Sequence, residues 1–317
     1  MPSPSLRRAL GEARFLAEYS GFRGAAAMFR ALPVDAASNL GAGIWRRAAP
    51  FNRRHARALA HLAAALPELG PAEHARIAAG MWDNLGRVMA ESFHLDTLAA
   101  DPARYRFVPD PGVLDALQPG RGAVVASLHF GNWELAVLGS LRHGMRPAAV
   151  YHEIRNPRVD AYVRALRGPL YPGGLHGKGA ATARRILAWV RDGGTLSLLA
   201  DQRDNRGIVV PFFGQPAPST PFPALVARSL DVPLIIGACR RLQGAWFEAR
   251  ASLVEVPRTD DRGADVALAT ARIHQAFEAW IRERPEQWMW GHRRWNPRLP
   301  IDPRLDPASM QGTRETR

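Results

Sequence analysis

Apolar residues recur at helical spacing through residues 1–100, then give way to short apolar runs separated by helical stretches. Over residues 5–30, Leu6, Leu10, Ala13 and Ala17 fall three or four apart with arginines elsewhere, which predicts a basic amphipathic helix. Such a helix suits a membrane interface, and it equally suits packing on the protein's own core with a solvated basic face. Residues 36–66 continue in alanine-rich helical character. Gly70-Pro71 punctuates the chain, with Pro71 well placed at a first helical position. Ile77, Met81, Trp82, Leu85, Val88 and Met89 then keep a helical stripe to about Phe93. No strand pattern interrupts this region.

After Asp101-Pro102 the texture changes. Ala123–Leu128 (AVVASL), Ala148–Tyr151, Thr195–Ala200 (TLSLLA), Pro233–Ala238 and Trp246–Val254 read as strands. Between them Trp133–Leu141, a stretch from Asn156-Pro157, Ala180–Arg191, Phe222–Leu230 and residues 264–284 read as helices. Strands alternating with helices predict an α/β fold: a mainly parallel central sheet flanked by helices, with an N-terminal helical region before it. The expected organisation is a helical, membrane-contacting region over 1–100, an α/β domain over 101–296 and a proline-rich tail over 297–317. The tail, with prolines at 297, 300, 303 and 307, is expected to be poorly ordered.

Composition narrows the class. At 47% hydrophobic and 22% charged, the 317-residue chain can bury a sizeable core. Its one cysteine, Cys239, excludes an intramolecular disulfide framework and a cysteine-rich zinc module. The longest apolar stretch, Gly122–Leu141, is interrupted by His129 and Glu134, so no spanning helix is expected. Gly11, Glu12, Arg14 and Glu18 break up the place where a secretory signal would lie. Those readings give a soluble or membrane-surface protein on the cytoplasmic side.

Charge adds a direction. The net charge is +13, and every basic residue but Lys178 is arginine. Ten arginines face Glu12, Glu18 and Asp35 within residues 1–60. Codon usage is the bland reading of that bias; the functional reading is that a field of this sign attracts nucleic acid, acidic lipid headgroups or an acidic carrier protein.

The sharpest local pattern is Ser127-Leu128-His129-Phe130-Gly131-Asn132-Trp133-Glu134. A histidine follows an apolar strand run, Gly131-Asn132 supplies a turn and an N-cap, and Glu134 falls in the next helical turn. Ligand sites of open α/β sheets lie at the carboxyl ends of strands, where His129 would sit. A Glu134 carboxylate accepting one imidazole N–H would fix the tautomer and leave the other nitrogen as a base. A lone strand-end histidine with a solvated Glu134 accounts for the same letters. Other chemistries lack their residues: there is no G-x-S-x-G elbow, no second histidine after His152-Glu153, no Walker sequence and no G-x-G-x-x-G after a strand.

His129-Phe130-Gly131-Asn132-Trp133-Glu134 is similar to the H-x4-D/E signature of the lysophospholipid acyltransferase superfamily, in the H-x4-E form of the late acyltransferases of bacterial lipid A biosynthesis (the lauroyl/myristoyl type). Further blocks follow in that family's order. Met81–Arg87 resembles its N-terminal segment, and Tyr151 with Asn156-Pro157 and Asp160 its second block. Asp201-Gln202 with Val210–Gly214 resembles its D-Q…V-P-F-F-G block, and Pro285–Trp290 with His292–Trp295 its ending. The resemblance runs from roughly residue 40 to 296. One departure stands out: the family commonly has arginine after the tyrosine of the second block, where this chain has His152, so Arg155 or Arg167 is the candidate replacement cation.

The resemblance implies transfer of a fatty acyl chain from acyl carrier protein to a hydroxyl of a lipid A precursor, at the cytoplasmic face of the bacterial inner membrane. His129 would be the general base, a contribution of roughly 10²–10⁴-fold, and Glu134 its orienter. Backbone N–H groups at 130–133 are candidate oxyanion donors. Asn132, Arg155, Arg167, Asp201 and Gln202 are candidate substrate contacts, and Arg293-Arg294 candidate phosphate contacts. Asp201-Gln202 reads as well as a buried structural pair, Arg293-Arg294 as a helix-end cover, and Val210–Gly214 as either an acyl groove or a packed loop. No cofactor and no metal are called for. The alternatives are an acyltransferase acting on a glycerophospholipid or other lipid acceptor and, more remotely, a basic nucleic-acid-binding protein, although no recognised nucleic-acid module is present.

Overall fold

The computed structural model describes residues 4–305. The helical spacing of the first region becomes α1 (Pro4–Arg30), α2 (Val34–Ala48), α3 (Arg53–Ala65) and α4 (Pro71–Glu91). Pro33 precedes α2, and a 3-10 turn at Ala49–Phe51 separates α2 from α3. Asn52 then starts α3 by accepting the Arg54 N–H at 3.0 Å. Pro71 occupies the first turn of α4, as its spacing predicts.

There follow α5 (Leu95–Ala100), β1 (Tyr105–Pro109), α6 (Val113–Ala116), β2 (Ala123–Gly131), α7 (Leu138–Arg142), β3 (Pro147–Tyr151), α8 (Pro157–Arg167) and β4 (Leu175–Gly177). The remainder is α9 (Ala180–Arg191), β5 (Thr195–Leu199), β6 (Ile208–Phe212), β7 (Gln215–Ser219), α10 (Phe222–Leu230), β8 (Leu234–Gln243), β9 (Trp246–Val254) and α11 (Arg262–Glu283). Seven strands form one sheet in the order β1-β9-β8-β2-β5-β3-β4, parallel except for the β8–β9 pair. β2 runs through the middle and is buried at every position but His129, which is why its sequence is a continuous apolar run rather than an alternation.

Several elements differ from the sequence pattern. Trp133–Leu141 is a 3-10 turn (Trp133–Leu135) followed by the short α7. β6 and β7 make a separate antiparallel ribbon whose second strand, Gln-Pro-Ala-Pro-Ser, carries two prolines. Proline cannot donate to a ladder, so β7 has no strand signature, and a two-stranded ribbon tolerates it because each strand has a free edge. The proline-rich stretch after Pro297 is held as far as Leu305. Asp302 donates its N–H to Val209 O at 2.9 Å, and Leu305 packs with Val210, Ala267 and Ala271. Residues 306–317 lie outside the described part.

The N-terminal helices share the sheet's core. Leu62, Ile77, Met81 and Trp82 cluster with Val124, Ala126 and Leu128 of β2 and with Ile273 and Phe277 of α11. Helices α2 and α4 meet backbone to backbone: a Cβ on Gly86 would stand 2.3 Å from Gly41 O and 2.8 Å from the Trp45 Cβ. Gly86→Ala should therefore destabilise the protein by about 1–3 kcal/mol through overpacking, despite alanine's better helix propensity. Gly24→Ala, in α1 where no atom lies within 4 Å of the new Cβ, should not. Thermal unfolding of both variants checks the pair.

Candidate active site

β2 and β5 pair in parallel with Ser127 opposite Leu199, so His129 and Asp201, two residues further on, leave the sheet side by side. On its other edge β2 loses register with β8 between Ser127 and Gly131, a bulge that carries His129 and Phe130 out of the regular ladder. Asp201 Oδ1 receives the His129 Nδ1 hydrogen at 2.8 Å, and Oδ2 accepts the His129 backbone N–H at 2.9 Å and the Trp288 indole N–H at 2.8 Å. Burial alone would raise the Asp201 carboxyl. The charge and hydrogen bonds of His129, with His292 nearby, outweigh it and hold the group well below the usual carboxylate range. The partner on Nδ1 fixes the tautomer, and Nε2 faces outward, 3.2 Å from the Gln202 amide nitrogen.

The carboxylate that meets the imidazole is thus that of Asp201, and Glu134 goes elsewhere. It is buried against Arg167, which donates Nε–H to Oε2 at 2.7 Å and a second N–H to Oε1, while the Trp133 indole donates to Oε1 at 3.1 Å. Burial works against the Arg167 charge, but Glu134 more than offsets it and holds the guanidinium above its ordinary value. The 3-10 turn after Gly131 and the reach of Arg167 from α8 draw Glu134 away from His129.

Every other letter of the motif has a local reason. Gly131 sits at φ +55°, and a Cβ there would fall 2.0 Å from Cys239 O, so only glycine fits. Phe130 bridges to Trp288, and Met289 donates its N–H to His129 O at 3.2 Å. Asn132 accepts the Glu134 N–H at 3.2 Å and donates to Glu91 Oε2 at 2.8 Å. Glu91 in turn forms a buried two-point pair with Arg241, at 2.5 and 2.9 Å. Asn84 accepts from Arg241 at 3.0 Å and donates to Gly131 O at 2.9 Å. The loop is braced from beneath by α4 and β8.

His129 opens on a cavity of about 550 Å³, within the usual range for ligand pockets. Its wall is largely apolar, with Val125, Val137, Ala149, Leu175, Leu199 and Phe222 among the contributors. Arg167 and Gln202 line it as expected, and so does His152. Asn132 is fully buried in the brace, and its backbone N–H is taken by Cys239 O, which removes it as an oxyanion donor. Arg155 and Arg293 are exposed and outside the cavity lining. Arg294 is buried, stacked on Phe212 and bonded to Pro218 O and Ser219 Oγ, so it cannot reach a phosphate. Val210, Phe212 and Phe213 are packed core.

Lys178, Arg203 and Arg206 also line the cavity, from segments between the regular elements, and none of the three was expected in the site. Trp288 falls in the Pro285–Trp290 block that carries the resemblance, but no role in the site was expected of it. One signal for Asp201 did exist: AVVASL and TLSLLA are apolar runs of equal length, and His129 and Asp201 each follow immediately.

A covered, mostly parallel sheet that presents a carboxylate-held imidazole to an apolar cavity at its carboxyl edge defines an α/β enzyme site. The chain belongs to the family of bacterial lipid A biosynthesis acyltransferases, whose model matches residues 12–297. It is 28% identical over 228 residues to a phosphatidylinositol mannoside acyltransferase of Mycobacterium tuberculosis (strain H37Rv), covering 67% of this chain and 68% of the relative. A second phosphatidylinositol mannoside acyltransferase, from Mycolicibacterium smegmatis, is 27% identical over 193 residues, covering 57% of this chain and 59% of its own. The protein is an acyltransferase, and the acyl group goes to a lipid.

Two histidines beside the site, His274 buried and His292 half-buried, make stability depend on pH. Burial pushes His274 down to about 3 and His292 down to about 4. Histidines depressed in the fold give stability that is fully present above the unfolded value near 6.5 and lost as pH falls toward the folded value. On the order of 3 kcal/mol from each should disappear between pH 6.5 and 4. His274 packs against Phe212 and Phe277 and leaves Nε2 without a partner among the described residues. His274→Phe should therefore keep the fold at neutral pH and flatten the fall in melting temperature over that window.

Proposed function

We propose that this acyltransferase moves a fatty acyl chain of the lauroyl/myristoyl class from the thioester of acyl carrier protein to a hydroxyl of a lipid A precursor, at the cytoplasmic face of the inner membrane. The observation that carries the reading is His129 Nε2, free of a carboxylate and directed at the mouth of an apolar cavity, with Asp201 on the opposite nitrogen. In this reading the acceptor hydroxyl displaces Gln202 from Nε2 and gives it its proton. The hydroxyl oxygen attacks the thioester carbonyl, the tetrahedral oxygen takes a hydrogen bond from the Gln202 amide, and the C–S bond breaks. The imidazolium, stabilised by Asp201, returns the proton to the departing thiolate. Asp201 takes the orienting role that the motif suggested for Glu134, and Glu134 with Arg167 shapes the wall beside it.

The cavity supports an anionic amphiphile. Its apolar wall suits an acyl chain, and Lys178, Arg203 and Arg206 at its edge suit the phosphate of a headgroup or of the donor's pantetheine arm. The names of the relatives favour a second acceptor, a phosphatidylinositol mannoside. Mass spectrometry of lipids from cells with and without the gene separates the two acceptors.

Single-turnover transfer of a labelled acyl group tests the mechanism. His129→Ala should lose at least about 10²-fold. Asp201→Asn should approach a 10⁴-fold loss, because an amide holds the wrong tautomer and cannot stabilise the imidazolium. The double variant should lose little more than the worse single one. Should Asp201→Asn stay within tenfold of wild type while Glu134→Gln loses far more, the orienting role belongs to Glu134. Should His129→Ala retain a tenth of the rate, the general-base mechanism fails.

A further inference from the structure

The most exposed large apolar side chain among the described residues is Phe51, at 91%. It stands on the 3-10 turn between α2 and α3. On α2, Leu40, Ile44 and Arg47 fall at i, i+4 and i+7 and so share one side, and Leu40 and Ile44 are both exposed. Leu40 and Ile44 thus leave apolar surface exposed on α2, and Phe51 stands in the turn that follows the helix.

Arginines surround its end. Arg53 and Arg54 are exposed and Arg57 is half-buried on the first turns of α3. None of the three has a carboxylate within salt-bridge reach among the described residues. Over residues 34–57 the only acid is Asp35, which is paired with Arg104. The Arg57 guanidinium donates to Gly291 O at 3.1 Å, and Gly291 lies against Arg54, which brings the exposed Arg293 to the same patch. Burial and the neighbouring charges of Arg293, Arg54 and Arg53 lower the Arg57 pKa, as mutual repulsion requires. Helix α1 differs. Its Arg8 and Arg14 pair with Glu12 and Glu18 within the helix, and it is tied to the fold through Arg30 and Asp96, and through Asn156 with Phe15 O.

We propose that the corner formed by the exposed side of α2, the turn at Phe51 and the start of α3 is the surface that lies on an anionic lipid bilayer. A lipid interface takes both halves of this patch: headgroup phosphates meet the unpaired arginines, and Phe51 with Ile44 and Leu40 enters the headgroup–acyl boundary. A nucleic acid would satisfy the charge and leave the apolar stripe in water. The assignment moves the membrane contact from residues 1–30 to residues 40–57. It stands independently of the acyl-transfer chemistry.

The test is sedimentation of the full chain with phosphatidylglycerol-containing vesicles and with pure phosphatidylcholine vesicles. Wild type should bind the first, less so at high salt, and not the second. An arginine near an anionic surface contributes about fivefold in binding, so Phe51→Asp with Arg53→Gln and Arg54→Gln should lower the partition coefficient roughly 30-fold or more. The triple variant should keep its melting temperature and its transfer to a detergent-dispersed acceptor, since these side chains touch neither core nor cavity. Binding within threefold of wild type overturns the proposal. So does loss of binding on deleting residues 1–30 with none in the triple variant, and so does a wild type that binds RNA but not vesicles.

Discussion

A carboxylate with no exposure to water has to be surrounded by donors, and at Asp201 those donors come from two distant parts of the chain. His129 supplies its backbone N–H and its ring, and Trp288 supplies its indole N–H. To satisfy one charge, the ends of β2 and β5 must lie in register, and the segment after α11 must close behind them. The same three hydrogen bonds fix which imidazole nitrogen is free. A constraint of folding and the presentation of His129 Nε2 to the cavity are here one interaction. That is why the C-terminal block, which contributes no side chain to the cavity lining, belongs to the site.

The second buried charge ties the N-terminal helices to the same loop. Glu91 of α4 is held by Arg241 of β8, by Ser38 of α2 at 2.7 Å and by Asn132. Gln287 extends the arrangement, accepting the Arg241 N–H at 2.8 Å and donating to Arg241 O at 2.9 Å. Removing one partner of such a buried pair strands the other charge at a cost of about 3–5 kcal/mol, so the network is rigid once formed. It explains why α2 and α4 approach through Gly41 and Gly86: the side-chain brace needs the helices close. The helical region is a foundation for the motif loop and not an appendage to it.

Much of this was legible. The helical stripe through Trp82, the apolar runs of β2 and β5, and the placement of His129 at a strand's carboxyl end all follow from periodicity. Strand neighbours do not, because periodicity says which residues face a core and nothing about which run lies beside which. Glu134 drew attention through nearness in sequence, whereas Asp201 reaches His129 from 72 positions further along the chain. The bulge after Ser127 and the tight turn at Gly131 decide where Glu134 points, and both depend on Cys239 O, which no local pattern names. The prolines of β7 hid a strand, and those after Pro297 hid an ordered one-sided packing of Leu305.

Arginine count proves a poor guide to binding until each guanidinium is placed. Arg241 and Arg294 are buried structural cations, the one on Glu91 and the other on Pro218 O and Ser219 Oγ, and burial lowers Arg294 to about 10. Arg167 spends its charge on Glu134, and Arg104, Arg228 and Arg240 on Asp35, Asp265 and Glu248. A paired guanidinium presents little field to an approaching anion, since its partner cancels most of it beyond a Debye length of about 8–10 Å. Among the described cations without a carboxylate in salt-bridge reach, Lys178, Arg203 and Arg206 line the cavity and Arg53, Arg54 and Arg57 stand at the corner around Phe51, while others such as Arg121, Arg158, Arg184 and Arg191 are scattered over the surface. The excess of arginine suggested nucleic acid, lipid or carrier protein without distinction, and placing each guanidinium separates structural cations from those open to an anion. One group of cations borders a largely apolar cavity and another stands beside exposed apolar side chains, the pairing on which the proposals of a lipid substrate and a lipid surface both rest.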